Sequence, residues 1–145
     1  MLKVKIHKIN NNAKLPKRMT EHAAGYDLYS CNEKDIVIKS GKVVLIPTGI
    51  ALSLPAGYEA QIRPRSGLAI KHQIGVLNSP GTIDADYRGE IKIILFNFGE
   101  NDFVVEHNTR IAQMVVSRHE SINFVITDQL DDTDRGSGGF GHTEH

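Results

Sequence analysis

The stretch "RPRSGLA" (residues 63–69) combines residue types that bind oxyanions. Arg65 brings a planar cation, Ser66 a hydroxyl group, and Gly67 a backbone that a ligand can approach closely. If a short helix begins here, its free N–H groups add to the same anion site. The competing interpretation of this stretch alone is a solvent-exposed basic turn.

The stretch "NSPGTIDADYRGEI" (residues 78–91) is interpreted as a hairpin that carries two carboxylates, Asp84 and Asp86. In an unbroken strand both would lie on one face and Tyr87 on the other, whereas a turn within "DADYRG" would break that alternation. A carboxylate close to bound phosphates can orient and deprotonate a water molecule for attack on phosphorus. Acidic turn residues that only keep the surface soluble are the alternative.

Two other stretches place polar side chains among apolar ones. In "AAGYDLYS" (residues 23–30), Asp27 has small and apolar neighbours, so we expect a partly buried carboxylate paired with an arginine. An ordinary turn or salt-bridge aspartate fits this stretch equally well. In "NTRIAQMVV" (residues 108–116), Arg110 and Gln113 stand at a spacing that puts them on opposite faces of a regular strand. The alternative there is the polar pattern of an edge strand.

The chain ends with "DRGSGGFGHTEH" (residues 134–145), which contains the spacing G-x-G-x-x-G. A dinucleotide fingerprint needs a strand before it and a helix after it, and here an acidic turn precedes it while only His142 to His145 follow. Arg135 suits phosphate oxygens and Phe140 suits stacking on a flat ligand. We therefore expect an arm that is mobile when empty and ordered over a bound nucleotide, with a plain flexible tail as the alternative.

The elements that must position these groups are β-strands, because apolar and polar residues alternate along most of the chain. Val4 and Ile6 predict a half-buried first strand, and residues 66–72 ("SGLAIKH") are the best candidate for a short helix. Turn signals separate the runs at short intervals, which favours an all-β sandwich, jelly roll or barrel. The further predicted strands are "DIVIKS", "KVVLIPTGIALSL", "YEAQIRP", "GEIKIILFN", "DFVVE", "RIAQMVVSRHE" and "INFVIT".

The composition narrows the class of protein. At 145 residues the chain is most simply one domain, and its formal net charge of zero offers no basic field for nucleic acid or an anionic membrane. The single Cys31 fits a reducing compartment, and no apolar run approaches the roughly 20 residues of a membrane span. With no signal peptide at its start, the chain is expected to be a soluble cytoplasmic protein. The seven histidines form no convincing zinc set.

Five stretches, taken in order, strongly resemble the five motifs of the trimeric dUTP diphosphatase (dUTPase) family. "AAGYDLYS" resembles the first motif, "PRSGLA" the second, "GTIDADYRGEI" the third, "RIAQMVV" the fourth and "RGSGGFG" the fifth. The resemblance covers about residues 20–143. One departure is His142, where many members carry a serine.

The resemblance implies an all-β fold, a jelly-roll-like distorted β-barrel over residues 1–127, with a flexible C-terminal arm at residues 128–145. It implies a homotrimer in which the arm of one subunit closes over a site built by the other two. The implied reaction is hydrolysis of dUTP at the α-phosphorus to dUMP and pyrophosphate, which limits uracil in DNA and supplies dUMP for dTMP synthesis. Mg²⁺ would be bound through the substrate triphosphate rather than by protein ligands.

The resemblance also implies the roles of individual residues. Asp84 would position the attacking water, Asp27 would organise Arg65, and Tyr87 would pack under the deoxyribose and exclude a ribose hydroxyl. The third-motif stretch would hold uracil largely with backbone groups and leave no space for the thymine methyl. The implied catalytic residues are Asp84, Asp27, Arg65 and Gln113. The implied substrate-binding residues are Arg65, Ser66, Gly67, Asn78, Thr82, Ile83, Asp84, Tyr87, Lys92, Gln113, Arg135, Phe140 and Gly141.

Two other functions compete with this one. A dCTP deaminase is a related β fold, but that family typically carries arginine-serine-serine where this chain has Arg65, Ser66 and Gly67, and it needs a catalytic glutamate that we cannot place. A non-catalytic jelly-roll regulatory module is the second alternative. A decayed site should have lost at least one member of the polar set, and here every matching position is intact.

Overall fold

The computed structural model describes residues 1–139, which form eleven β-strands and one α-helix. All strand pairings within this range are antiparallel. The helix α1 spans Ser66–His72. The strands are β1 (Lys5–Lys8), β2 (Tyr26–Tyr29), β3 (Ile36–Ile38), β4 (Val43–Pro47), β5 (Ile50–Ser53), β6 (Tyr58–Arg63), β7 (Ile74–Val76), β8 (Gly81–Ile83), β9 (Lys92–Asn97), β10 (Phe103–Val105) and β11 (Arg110–Arg118).

The strands form four sheets. The largest has the order β2-β11-β6-β8 and a three-stranded sheet has the order β4-β9-β7, while β1 pairs with β5 and β3 with β10. Alternation along β9 buries Ile93, Leu95 and Asn97 and leaves the intervening side chains more exposed. Leu95, Ile93 and Ile46 are fully buried in the core, and burial of each such side chain stabilises the fold by roughly 1.5–3 kcal/mol.

Most of the predicted elements are confirmed. The structure is all-β apart from α1, and α1 occupies the residues predicted for it, 66–72. The long predicted run at residues 42–54 divides into β4 and β5 because Gly49 adopts a left-handed φ of 68°. The short strands β2 and β7 were not predicted, since three or four residues give too little periodicity to recognise.

Two predicted strands differ from the structure. The four residues of β1 are all exposed, and only Val4, directly before β1, is partly buried against the core. Residues 122–127 ("INFVIT") form no strand, and Ile126 is 97% exposed. Their alternation suits a strand, but no neighbouring strand among residues 1–139 pairs with them, and a strand needs a partner for its backbone groups.

No helix within residues 1–139 has the length and apolar character that a membrane span requires.

Candidate active site

The second-motif stretch forms the start of α1. Arg65 is the N-cap residue, with extended backbone angles of φ −95° and ψ 129°, and its carbonyl accepts hydrogen bonds from the N–H groups of Leu68 and Ala69. Ser66 and Gly67 are therefore the first two helical residues, whose N–H groups have no acceptor within the helix. An anion can accept hydrogen bonds from the Arg65 guanidinium, from the Ser66 hydroxyl and from these N–H groups.

The carboxylate of Asp27, on β2, binds two arginines. Its Oδ2 atom lies 3.1 Å from Arg110 Nη1 and 3.6 Å from Arg65 Nε, and the Asp27 side chain is only 12% exposed. Arg65 also donates from Nη1 to the Arg110 carbonyl at 2.8 Å. The expectation of a buried, arginine-paired Asp27 is confirmed. One negative charge thus holds two guanidinium groups and fixes the direction of Arg65.

The structure corrects the prediction that Arg110 and Gln113 lie on opposite faces of β11. The register between β11 and β2 shifts between Arg110 and Ala112, so that Arg110 pairs with Tyr29 and Gln113 with Asp27. The extra residue at this irregularity restores an even spacing, which puts Arg110 and Gln113 on the same face. Arg110 therefore belongs to the cluster around Asp27, together with Gln113, although the spacing of a regular strand put the two on opposite faces.

Gln113 joins this cluster through its amide group. Its Nε2 donates to the carbonyl of Pro64 at 2.9 Å, which links β11 to the residues that precede α1. Gly25 makes room for this arrangement, since a methyl group at Gly25 would overlap Gln113 Oε1 and lie 3.3 Å from Gln113 Cδ. The first, second and fourth motif stretches thus meet at one place, which we call the arginine cluster: Asp27, Arg65, Ser66, Gly67, Arg110 and Gln113.

A second group of predicted residues meets elsewhere. A cleft of about 430 Å³, here called the Asp84 cleft, is lined by Leu45, Thr82, Ile83, Asp84, Tyr87, Glu90 and Lys92. Five of these seven residues were predicted to bind the substrate, and Leu45 and Glu90 were missed. Leu45 comes from β4 in another sheet, so no local pattern near the third motif indicates it. Glu90 lies within the third-motif stretch, and its acidic side chain was the one signal for that residue.

The interpretation of residues 78–91 as a hairpin needs correction. The strand β8 pairs with β6, whereas β9 pairs with β4 and β7, so the connection at residues 84–91 crosses between two sheets. The backbone N–H of Tyr87 donates to the Asp84 carbonyl at 3.2 Å, which marks a turn directly after β8. This turn breaks the alternation that would have put Asp84 and Asp86 on one face. Asp84 and Asp86 are both exposed.

Asn78 precedes the strand β8, and Lys92 lines the Asp84 cleft. Asn78 lies in the turn before β8, and a methyl group at Gly81 would lie 3.0 Å from Asn78 Nδ2, so the amide packs closely against the start of β8. Lys92 begins β9, and its Nζ atom lies 3.6 Å from Glu90 Oε2.

The arginine cluster and the Asp84 cleft are separate within one chain. In the sheet β2-β11-β6-β8, Asp27 and β8 are three strand spacings apart, or about 14 Å. The Asp84 cleft contains none of Asp27, Arg65 and Gln113, and Gln113 lines a different cleft with Arg63, Pro64, Ser79 and Pro80. The predicted phosphate-binding and base-binding residues therefore form two half-sites.

The structure describes only part of the predicted arm. Arg135 lies in an exposed turn, where its Nε atom donates to the Gly138 carbonyl at 2.8 Å. Phe140 and Gly141 lie outside the described residues.

Within residues 1–139 no group of three or more histidine, cysteine, aspartate or glutamate side chains is arranged to hold a metal ion. Mg²⁺ commonly takes much of its coordination from substrate phosphates and water, so its binding here would depend on a phosphate-bearing ligand.

Comparisons with known proteins indicate the family of this chain. A sequence model of the dUTPase family matches residues 11–144. The deoxyuridine 5'-triphosphate nucleotidohydrolase of Rickettsia felis is 60% identical over 97% of this chain and 95% of its own length. The enzyme of the same name from Rickettsia typhi is 57% identical over 99% of this chain and 97% of its own length.

Solved structures show the same fold at lower identity. A variant dUTPase of Staphylococcus bacteriophage 80alpha, with dUpNHpp, has a TM-score of 0.88 at 24% identity, over 97% of both chains. A variant dUTPase of the S. aureus phage phi11, described with a structural Mg(II) ion, has a TM-score of 0.81 at 20% identity, over 90% of this chain and 99% of that one. Because the family model matches residues 11–144 and the Rickettsia felis enzyme is 60% identical over 97% of this chain, the chain belongs to the dUTPase family.

Proposed function

We propose that the protein is a hydrolase that cleaves dUTP at the α-phosphorus, releasing pyrophosphate and leaving dUMP. Two findings support this function. The chain belongs to the dUTPase family, and its relatives are named deoxyuridine 5'-triphosphate nucleotidohydrolases. The observation that carries the proposal is the Asp84 cleft, because it gathers an exposed carboxylate, a tyrosine ring and strand backbone in one concave place. In the cell this reaction would limit uracil in DNA and supply dUMP for dTMP synthesis, and we assign it to the cytoplasm.

The arginine cluster is the proposed binding site for the triphosphate. Arg65 contributes a guanidinium group whose direction Asp27 fixes, and Ser66 and Gly67 add hydroxyl and backbone donors. Gln113 adds an amide from β11. Preorganised donors of this kind neutralise charge as it develops on the transferring phosphoryl group, and they need no rearrangement during the reaction.

Asp84 is the proposed acceptor for the proton of the attacking water. Within residues 1–139 its carboxylate makes no hydrogen bond and no ion pair, so both oxygens are available to a water molecule. The water oxygen forms a bond to the α-phosphorus, and the bond from that phosphorus to the bridging oxygen of the β-phosphate breaks. The proton passes to Asp84, and pyrophosphate leaves with the bridging oxygen.

The remaining residues of the Asp84 cleft are proposed to recognise the nucleoside. Thr82 and Ile83 lie on β8 and offer backbone groups to uracil, with Asn78 at the base of the strand and Lys92 on the facing side. Tyr87 packs under the deoxyribose. A wall that fits this sugar closely leaves no space for an added 2′-hydroxyl group.

The arm at residues 128–145 is proposed to close over the bound nucleotide. Arg135 would meet the γ-phosphate, Phe140 would stack on uracil, and Gly141 would let the backbone approach the ligand. Closure of this kind excludes water other than the reacting one.

Mg²⁺ is proposed to bind through the triphosphate. When bound, it neutralises phosphate charge and orients the leaving group. The protein's part is to hold the other phosphate oxygens with Arg65, Ser66 and Gln113.

The active enzyme is proposed to be a homotrimer, in which the arginine cluster of one subunit faces the Asp84 cleft of another. The separation of the two half-sites within one chain supports this assembly, because each is incomplete without the other. So do the exposed apolar residues on the outer face of the β4-β9-β7 sheet: Val43 and Leu45 on β4 lie opposite Phe96 and Ile94 on β9. Leu45 also lines the Asp84 cleft, so a partner covering this face would border the site.

The exposed segment at residues 122–127 gives a third argument for self-association. Its side chains Ile122, Phe124 and Ile126 are at least 70% exposed, and a monomer rarely leaves such a run uncovered. Pairing of this segment with another copy would supply the strand partner that it lacks within residues 1–139.

One assay tests the proposed function against its alternatives. Pyrophosphate release is measured with dUTP, dTTP, UTP and dCTP, and ammonia release is measured with dCTP. We expect rapid pyrophosphate release from dUTP alone. Ammonia from dCTP would identify a deaminase, and no product from any nucleotide would favour the regulatory module.

A further inference from the structure

Tyr87 is held inside its own loop both by its backbone N–H group and by its side-chain hydroxyl. Its backbone N–H donates to the Asp84 carbonyl at 3.2 Å, and its hydroxyl donates to the Glu90 carbonyl at 2.9 Å. The ring still lines the Asp84 cleft and is 44% exposed. Because the hydroxyl proton is already used within the loop, the ring rather than the hydroxyl is the part that Tyr87 presents to a ligand.

Gly89 is the residue that allows this closed loop. A methyl group at Gly89 would lie 2.6 Å from Tyr87 Cζ and 2.9 Å from Cε2, and would overlap the hydroxyl oxygen. Optimal contacts between carbon atoms are about 3.5–4.0 Å, so the ring would have to move. Gly89 is not among the glycines with positive φ. The glycine is therefore required by the position of the Tyr87 ring and not by the local backbone.

Glu90 ties the loop to the body of the protein. Its Oε1 accepts a hydrogen bond from the N–H of Gly49 at 2.9 Å, and its Oε2 lies 3.6 Å from Lys92 Nζ. The next residue continues the attachment, because the N–H of Ile91 donates to the Ile50 carbonyl at 2.9 Å. The Glu90 carbonyl, which accepts the hydrogen bond from the Tyr87 hydroxyl, is thus held against the turn between β4 and β5.

We propose that Gly89 and Glu90 are positioning residues that set the discrimination between deoxyribose and ribose, acting through the Tyr87 ring. This inference rests on the proposed function, in which Tyr87 packs against the sugar. An apolar wall can reject an added hydroxyl group by up to about a hundredfold, provided that the wall cannot move aside. Because Gly89 has no side chain, the Tyr87 ring can lie against the loop. Glu90 is anchored to Gly49, so the Glu90 carbonyl stays in place as the acceptor for the Tyr87 hydroxyl.

The test compares kcat and KM for dUTP and UTP in the full-length protein and in four variants. Gly89→Ala moves the ring, Glu90→Ala removes the anchor to Gly49, and Glu90→Gln keeps an acceptor for that N–H group. Gly99→Ala is the matched control, because a methyl group there first meets the flexible Gln73 side chain, and neither Gly99 nor Gln73 lines the Asp84 cleft. Pyrophosphate release gives the selectivity ratio, (kcat/KM for dUTP)/(kcat/KM for UTP).

We expect Gly89→Ala to lower the selectivity ratio about tenfold, chiefly through a higher kcat/KM for UTP, and Gly99→Ala to leave it unchanged. Glu90→Ala should lower the ratio, and Glu90→Gln should restore it. A Gly89→Ala protein that folds and keeps the unmodified ratio would overturn the inference, even with a lower melting temperature.

If circular dichroism shows that Gly89→Ala does not fold, Tyr87→Phe decides the question, because it removes the hydrogen bond to Glu90 without adding an atom. A lower ratio in that variant would support the inference, and an unchanged ratio would overturn it. Failure of the unmodified protein to hydrolyse dUTP would overturn the proposed function and the inference together. An active protein with unchanged selectivity in the variants would overturn the inference alone.

Discussion

Asp27 Oδ2 lies 3.1 Å from Arg110 Nη1. In a regular strand Arg110 would lie on the face opposite Gln113, because the two are three residues apart, and Gln113 is the residue that pairs with Asp27. The register shift in β11 brings both side chains to the face where Asp27 lies. As a result, one buried carboxylate aligns Arg110 and Arg65 together. The fourth and second motifs are therefore coupled through the first.

Asp27→Asn should weaken phosphate binding. The amide keeps the shape of the carboxylate but removes the charge that holds Arg65 and Arg110. We expect the inhibition constant of pyrophosphate to rise about tenfold and kcat/KM for dUTP to fall by a similar factor. Inhibition kinetics measure both quantities, and an unchanged inhibition constant would show that Arg65 does not depend on Asp27 for its direction.

Gly25→Ala should displace Gln113. A methyl group at this position would overlap Gln113 Oε1, while Gly25 is not among the positive-φ glycines, so the strain falls on the glutamine side chain. We expect kcat/KM for dUTP to fall about tenfold or more, since small misplacements of a positioning group are costly. Steady-state kinetics test this, with Gly99→Ala as the control. Equal kinetics in the two alanine variants would contradict the expected contact.

The Cys31 thiol should react slowly in the folded protein. Desolvation by burial raises the pKa of Cys31, and the nearby charge of Glu90 raises it further. The reactive thiolate is therefore scarcer at pH 8 in the native state than in the unfolded state, and the rate should rise as the pH is increased. Alkylation rates from pH 7 to 10, with and without denaturant, test this prediction. An equal rate in both states would contradict it.

The same pKa shift has a consequence for stability. Below the ordinary thiol pKa both states are neutral and the shift has no cost. As the pH rises through that value, the unfolded state ionises first, so this group lowers the free energy of unfolding until the folded thiol ionises too.

Removal of the arm should slow turnover more than it affects assembly. A protein that ends at Asp134 lacks Arg135 and the stacking aromatic residue, so we expect a fall in kcat of about a hundredfold or more with the same mass in solution. A protein that ends at Gly141 keeps both side chains and is the control. Kinetics and sedimentation measure the two properties, and full activity without the arm would exclude its role as a lid.

The sequence was sufficient to predict the elements whose signal is local. The β periodicity and the helix at Ser66–His72 depend on neighbouring residues, and the structure agrees with them. The burial of Asp27 beside an arginine also followed from its apolar neighbours.

The relationships that were missed depend on partners distant in the chain. The bulge near Arg110 is set by the pairing of β11 with β2, which no period within residues 108–116 reveals. The separation of β8 and β9 into different sheets turned the expected hairpin into a crossing loop. Likewise, residues 122–127 have the alternation of a strand, but the pairing of a strand depends on what lies beside it.

Asp84 provides the most direct test of the account, because Asp86 in the same exposed turn is a matched control. Single-turnover hydrolysis of dUTP is measured for the unmodified protein, Asp84→Asn and Asp86→Asn, with the affinity for a non-hydrolysable dUTP analogue measured alongside. We predict that Asp84→Asn slows the chemical step by roughly 10²–10⁴-fold with little change in that affinity, and that Asp86→Asn retains the unmodified rate. Hydrolysis by Asp84→Asn at the unmodified rate would contradict the central claim that Asp84 activates the attacking water.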